Sequence, residues 1–248
     1  MTCEPTNTSV LSSDTLPRCR VAWLGRVEYQ HAWDMQREIA AARAVGLIPD
    51  TLLLLEHPPT YTIGPRGDHD HFLLSGEALA ERGATVHRVD RGGDVTFHGP
   101  GQLVGYPILD IKERRGGVMR YLVEIMDTLI LAVRDFGIEA TRRRGATGIW
   151  VGDEKLAAIG VKVNAKGITS HGFALNVNTD LDWFGHIVPC GLHGLGVTSL
   201  AKLLGRDMAM EDVLNSVARA FGEVFGLEMT WTDVNVANAE DFSDVFLT

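Results

Sequence analysis

TLLLLEH, Thr51 to His57, is the stretch on which the fold turns. It is a continuous apolar run of strand length, stopped by Pro58-Pro59. A run without polar alternation fits a strand buried on both faces. Such a strand needs covering elements above and below its sheet. Upstream, VAWLG (21–25) reads as a first strand, and HAWDMQREIAAARAV (31–45) has Ala-rich helical composition that stops at Gly46. Downstream, ATVHRVDR (84–91) and QLVGYPILDI (102–111) alternate as strands do. Val118, Leu122, Ile125, Leu129, Val133 and Phe136 then recur at three- and four-residue spacing, which predicts a helix with one buried stripe. Strands are predicted at GIWVG (148–152), KLAAIGVKV (155–163) and SHGFALNV (170–177). Met210, Val213, Leu214, Val217, Phe221, Val224 and Phe225 repeat the helical period, with Asp207 as N-cap and Gly226 as C-cap. The pattern is that of a mixed α/β or α+β domain with a substantial sheet.

The chain has 248 residues, 45% of them hydrophobic and 22% charged, a globular balance that excludes general disorder. Its net charge of −9 argues against broad nucleic-acid binding, which needs an electropositive face. No apolar run approaches the ~20 residues of a membrane helix, and the start, MTCEPTNTSVLSSD, lacks the basic and apolar regions of a secretory signal. The expected setting is the cytoplasm. Residues 1–19 read as a flexible polar tail and 20–248 as one domain. Of three cysteines, Cys3 and Cys19 are expected to be incidental exposed thiols flanking the tail, with no disulfide framework.

Three segments depart from an ordinary core-and-surface pattern. RGGDVTFHGPGQ (91–102) holds four glycines in twelve residues. Its backbone is free to approach a ligand and to converge amide N–H groups on an oxygen, with Arg91 and His98 as polar ends. The plainer reading is two turns around a short VTFH strand. Neither a dinucleotide fingerprint nor a phosphate loop is present. In KLAAIGVKV, Lys155 precedes small residues that leave room for an extended apolar ligand; the plainer reading is a solvated lysine at a strand start. In HGFALNVNTDLDWFGHIVPCGL (171–192), Cys190 stands between Pro189 and Gly191, an arrangement suited to presenting a thiol at a defined turn. A nucleophilic thiolate needs a nearby proton acceptor or positive charge. Lys155, His98, His171, His186 and His193 are the candidates, and a buried structural cysteine is the alternative. No metal-ligand spacing is found, since HDH (69–71) lacks partners and neither CxxC nor HExxH occurs.

Taken together, RGGDVTFHGPGQLVGYPILDI, the KLAAIGVKV strand, and SHGFALNVNTDL followed by VPCG resemble the lipoyl(octanoyl) transferases over about Val21 to Phe225. The resemblance implies a biotin/lipoate protein ligase-like catalytic domain, α+β, with a mixed β-sheet flanked by helices. It implies transfer of an octanoyl group from the phosphopantetheine arm of acyl carrier protein, through a cysteine thioester, to a lysine of a lipoate-dependent protein. The acceptors implied are lipoyl domains of 2-oxoacid dehydrogenase E2 subunits and the glycine-cleavage H protein. The family's nucleophile maps onto Cys190 and its lysine partner onto Lys155. Its acyl-binding segments map onto Arg91, Gly92, Gly93, Asp94, Val95, Thr96, Phe97 and His98, then Ala158, Ile159 and Gly160, then His171, Gly172 and Phe173. Asp94 and Phe97 stand where the family varies, which touches acyl-chain fit alone. No cofactor or metal is expected, nor nucleic-acid or membrane partners, and a monomer is the default. Arg91, Arg114, Arg115, Arg120, Arg142 to Arg144, Lys162 and Lys166 are candidates for a basic face that docks acidic partners. The competing readings are an ATP-dependent lipoate or biotin ligase on the same fold, an octanoyl amidotransferase, a non-catalytic acyl-binding module and a cysteine hydrolase.

Overall fold

The computed structural model describes residues 16–188 and 195–232. Cys3, Pro189, Cys190, Gly191, Leu192 and His193 lie outside them. The strands are β1 (Arg18–Arg26), β2 (Asp50–Glu56), β3 (Thr60–Ile63), β4 (Thr85–Arg88), β5 (Val95–His98), β6 (Gln102–Ile108), β7 (Thr141–Arg143), β8 (Ala146–Val151), β9 (Glu154–Val163), β10 (Thr169–Asn176), β11 (Gly196–Val197) and β12 (Glu228–Trp231). The helices are α1 (Tyr29–Ala44), α2 (Gly76–Glu81), α3 (Gly117–Arg134), α4 (Leu200–Leu204) and α5 (Met210–Phe225). The main sheet runs β12-β1-β2-β6-β10-β9-β8-β7, with β11 alongside β9, and β4-β3-β5 form a second, three-stranded sheet.

The leucine run is β2, paired parallel to β1 and antiparallel to β6. Leu52 and Leu54 face a core shared with α3 and α5, whereas Leu53 and Leu55 face α1. All four are fully buried, and truncating a leucine in such a position typically removes about 2–5 kcal/mol. The strand is therefore wrapped on both sides, as its composition requires.

Several sequence expectations are corrected. β1 begins at Arg18, and Cys19 is fully buried in the core beside Val21, so this thiol is not an exposed tail residue. Burial drives its ionisation above the ordinary thiol range. In α3, Ile125, Leu129 and Val133 are buried, but Val118 is 43% exposed and Leu122 half-buried. Both line the cavity described below, so the N-terminal end of the stripe faces a space and not a core. α5 caps at Ala209 without a side-chain hydrogen bond, so Asp207 is not its N-cap, while Gly226 ends it at φ 66°. The Arg142–Arg144 stretch, named above only for its charge, lies in an edge strand and the turn that follows it.

A cavity where the sheet opens

β8 pairs with β9 at Val151–Glu154 and Trp150–Lys155, then shifts register and ends its pairing at Ile149–Ala157. β9 continues six residues further, to Val163. Beyond Ala157 its edge is met by the glycine segment, where Gly92 N donates to Val161 O (2.9 Å). Between these two contacts lies a cavity of about 480 Å³, within the range of small-molecule sites. Its walls include Ala158, Ile159 and Gly160 of β9, Gly172 and Phe173 of β10, and Val118 and Leu122 of α3.

The glycine segment is held by Arg91. Its Nη2 donates to Thr62 O (2.8 Å), Thr62 Oγ1 (2.7 Å) and Asp94 O (2.8 Å), its Nε to Thr62 Oγ1 (3.1 Å), and its Nη1 to Gly92 O (3.2 Å). Arg91 is 7% exposed, so it is an internal clamp and not part of a docking face. Gly93 takes φ 107°, a backbone state closed to most side chains. A Cβ on Gly160 would lie 2.7 Å from Gly92 O, so the approach of loop to strand needs glycine there. The other proposed surface cations are mostly committed to ion pairs. Arg114 and Arg120 reach Glu124, Arg142 reaches Asp127, Arg143 reaches Asp153, and Lys162 reaches Asp90. Arg115, Arg144 and Lys166 are exposed.

Of the residues singled out in the sequence, Arg91, Gly92, Gly93, Asp94, Val95, Thr96, His98, Lys155, Ala158, Ile159, Gly160, His171, Gly172 and Phe173 line this cavity. Phe97 does not: it is buried in the core of the small sheet, stacked on Trp183 at 5.2 Å between ring centroids. Lys155 is half-buried, with Nζ 4.9 Å from the centroid of the Trp150 ring. Burial lowers its pKa from the ordinary lysine range, which makes a neutral, proton-accepting amine more accessible. His186 is engaged elsewhere, with Nδ1 2.9 Å from Tyr61 Oη.

Sequence reasoning missed the polar inner wall. Tyr29, Tyr106, Gln102 and Asn176 also line the cavity. His98 Nδ1 donates to Gln102 Oε1 (2.8 Å), Gln102 Nε2 donates to Asn176 Oδ1 (2.9 Å), and Asn176 Nδ2 donates to Thr198 O (2.9 Å). Thr198 N in turn donates to Lys155 O (3.0 Å). This relay of amides ties β6 and β10 to the backbone that carries Lys155. Gln102 and Asn176 stood inside the quoted motifs, but nothing in their spacing singled them out. His171 sits at φ 55°, an uncommon state for a residue with a Cβ. Its N donates to Gln36 Oε1 (2.7 Å) and its Nε2 to Asp90 Oδ1 (2.8 Å). Burial pushes Asp90 up, but the hydrogen bonds from Lys162 and His171 outweigh it and hold the carboxyl below its usual value.

His57 donates from Nδ1 to Val27 O (2.7 Å) and accepts from Tyr106 Oη (2.7 Å) at Nε2. Burial pushes its pKa down to about 4, and it lowers His98 and His171 as well. In the unfolded chain these rings titrate near ~6.5, so below that pH the unfolded state binds more protons. Stability that is intact above about pH 6.5 is expected to be lost as the pH falls toward 4, with His57 alone contributing roughly 3 kcal/mol of that loss. Urea midpoints measured across this window test it, and a midpoint that stays flat there refutes it.

The chain segments on either side of 189–194 border the same cavity. Val188 N donates to His71 O (2.8 Å), β11 pairs parallel with β9 through Val197 and Lys155, and Ile187 and Leu195 are lining residues. Residues 28–222 match the family model for the lipoyl protein ligase A/B catalytic domain. An octanoyltransferase of Roseiflexus sp. (strain RS-1) is 48% identical over 83% of this chain and 86% of its own. One of Rubrobacter xylanophilus is 50% identical over 82% and 91%. The chain belongs to the octanoyltransferase family. Its members are acyltransferases of lipoate biosynthesis, and this chain is one. Among solved structures it resembles Ta0514 from T. acidophilum, described as a lipoate protein ligase and holding lipoic acid. The TM-score is 0.70 with 16% identity over 92% of this chain and 95% of that one. The expected α+β ligase-like fold, a mixed sheet flanked by helices, is the observed one. Among the described residues of this octanoyltransferase, no helix is long and apolar enough to cross a membrane.

Proposed function

We propose that this acyltransferase takes its octanoyl group from acyl carrier protein, holds it as a thioester on Cys190, and delivers it to a lysine of a lipoyl domain. Lipoyl domains of 2-oxoacid dehydrogenase E2 subunits and the glycine-cleavage H protein are the acceptors. The observation that carries this reading is the placement of Lys155 on a cavity whose other walls include Ile187 and Leu195, the described cavity residues nearest in sequence to Cys190 on either side.

The chemistry follows from the groups present. Exchange of one thioester for another is close to thermoneutral, so loading Cys190 from a carrier thioester needs no nucleotide. The Cys190 sulfur attacks the donor carbonyl, and the carrier thiol leaves with the proton. Attack of the acceptor amine on the Cys190 thioester then forms an amide and frees the thiol, which is downhill and makes transfer directional. Lys155 as a cation favours the thiolate, and as a neutral amine it removes the proton from the attacking lysine. Its depression by burial serves the second role. The apolar part of the cavity, with Ala158, Ile159 and Phe173, receives the acyl chain, and each buried methylene contributes roughly 0.8 kcal/mol. The reaction uses no cofactor or metal, and the chain works in the cytoplasm as a monomer, one catalytic domain behind its N-terminal tail.

The test is to mix the full chain with octanoyl carrier protein in the absence of ATP and weigh it intact. A gain of one octanoyl group, discharged on adding a lipoyl domain, is the expected result. Transfer that strictly requires ATP overturns the reading in favour of a ligase, and transfer only from an octanoylated H protein does so in favour of an amidotransferase.

A further inference from the structure

The cavity is more cationic than an acyl chain requires. Among the described residues, Arg66, Arg91 and Lys155 line it against one carboxylate, Asp94, and Asp94 pairs with His71 Nδ1 at 2.8 Å. The Arg91 guanidinium is bonded from all three of its nitrogens to protein oxygens, and Lys155 lies against Trp150. Arg66 differs from both. It is exposed where the cavity meets solvent, and among the described residues no acceptor engages its side chain.

The position of Arg66 is built into the fold. It sits in a turn closed by Gly67 N to Gly64 O (2.9 Å) and fastened to the glycine segment by Gly64 N to Asp94 O (3.1 Å). A Cβ on Gly67 would stand 2.8 Å from Asp94 Oδ1, and one on Gly64 would collide with Gly93 O. The turn is thus pressed onto the Gly93–Asp94 backbone, itself cavity wall, and glycine is required on both sides of Pro65 and Arg66. The nearest acids along the chain are Asp68 and Asp70, and Asp68 Oδ1 accepts from Asp70 N (3.4 Å).

A saturated hydrocarbon tail makes no use of an unpaired cation, whereas the arm that carries it ends in a phosphate. We propose that Arg66 binds the phosphate of the donor's phosphopantetheine arm, so that this chain prefers phosphorylated pantetheine thioesters to neutral ones. This inference rests on the octanoyl-donor reading above. Carrier-bound phosphopantetheine and coenzyme A share the recognised group.

The experiment compares kcat/KM for octanoyl-phosphopantetheine and octanoyl-pantetheine, using the full chain and a lipoyl-domain acceptor. The phosphorylated donor is expected to be favoured roughly tenfold, the size of one charge-assisted contact. Arg66→Gln brings that ratio close to one, chiefly through KM, and Arg66→Lys keeps part of it. The octanoyl carrier protein and octanoyl-CoA should lose by a similar factor. A wild-type ratio near one, or a ratio that survives Arg66→Gln, overturns the assignment. So does a loss confined to octanoyl-CoA, which bears additional phosphates. Failure of every octanoyl donor would instead overturn the donor reading and this assignment with it, so the two failures are distinguishable.

Discussion

Cys190→Ala is expected to lower octanoyl transfer by at least about a thousandfold, because no other group on the proposed path can carry the acyl chain between donor and acceptor. The substitution removes one sulfur and leaves the described cavity lining intact, so donor binding should persist while the covalent adduct disappears. Intact mass spectrometry of the variant, with octanoyl carrier protein titrated alongside, separates the two effects. A variant that still delivers octanoyl at a substantial rate would show that transfer is direct, with no enzyme-bound thioester. Cys190→Ser is a stricter version. It retains a nucleophilic atom but replaces a thiol with a far less acidic hydroxyl, and slow formation of an ester that is not passed on is the expected outcome.

Lys155→Met should reduce transfer by about 10²–10⁴-fold, the usual worth of one positioned acid–base group. Arg is no substitute, since it supplies the charge but never surrenders its proton at working pH. Lys155→Arg should therefore retain part of the loading of Cys190 and lose most of the discharge to amine. The sign of the pH dependence follows from burial. Because the Lys155 pKa is lowered, its neutral form appears at lower pH than in an ordinary lysine near ~10.4. The discharge rate should rise with pH and level off below that value. Single-turnover discharge of isolated octanoyl-enzyme across a pH series reads this directly. An Lys155→Arg variant with an unchanged profile would remove Lys155 from the proton path.

Much of the architecture is legible in the sequence, because the elements that build it are decided locally. Four consecutive leucines between Thr51 and Glu56 leave no polar face, and α5 repeats its apolar residues at helical spacing down to a glycine cap at Gly226. What stayed hidden depends on partners remote in sequence. The cavity exists because β8 stops pairing at Ala157, a register event with no compositional mark. Val118 and Leu122 carry the same apolar signal as Ile125, and only the missing neighbour makes them walls and not core. Cys19 looked like tail because its surroundings are polar, yet the residues after it draw it into β1. Phe97 lies between cavity-lining Thr96 and His98, and the alternation of a strand turns it to the opposite side. The site was legible mainly through its glycine-rich and small-residue motifs, while Arg66, Tyr29, Tyr106 and the Gln102–Asn176 relay became visible only in three dimensions.

The Arg91 clamp has a thermodynamic corollary. Since its guanidinium is bonded to Thr62, Gly92 and Asp94 of the chain itself, the arch from residue 91 to 94 keeps its shape without a guest. An incoming thioester then meets this stretch of wall already in shape, and little of the arch's own conformational freedom remains to be frozen on association. Along this arch, discrimination among fatty acyl groups should consequently reside in how well each fills a fixed mould.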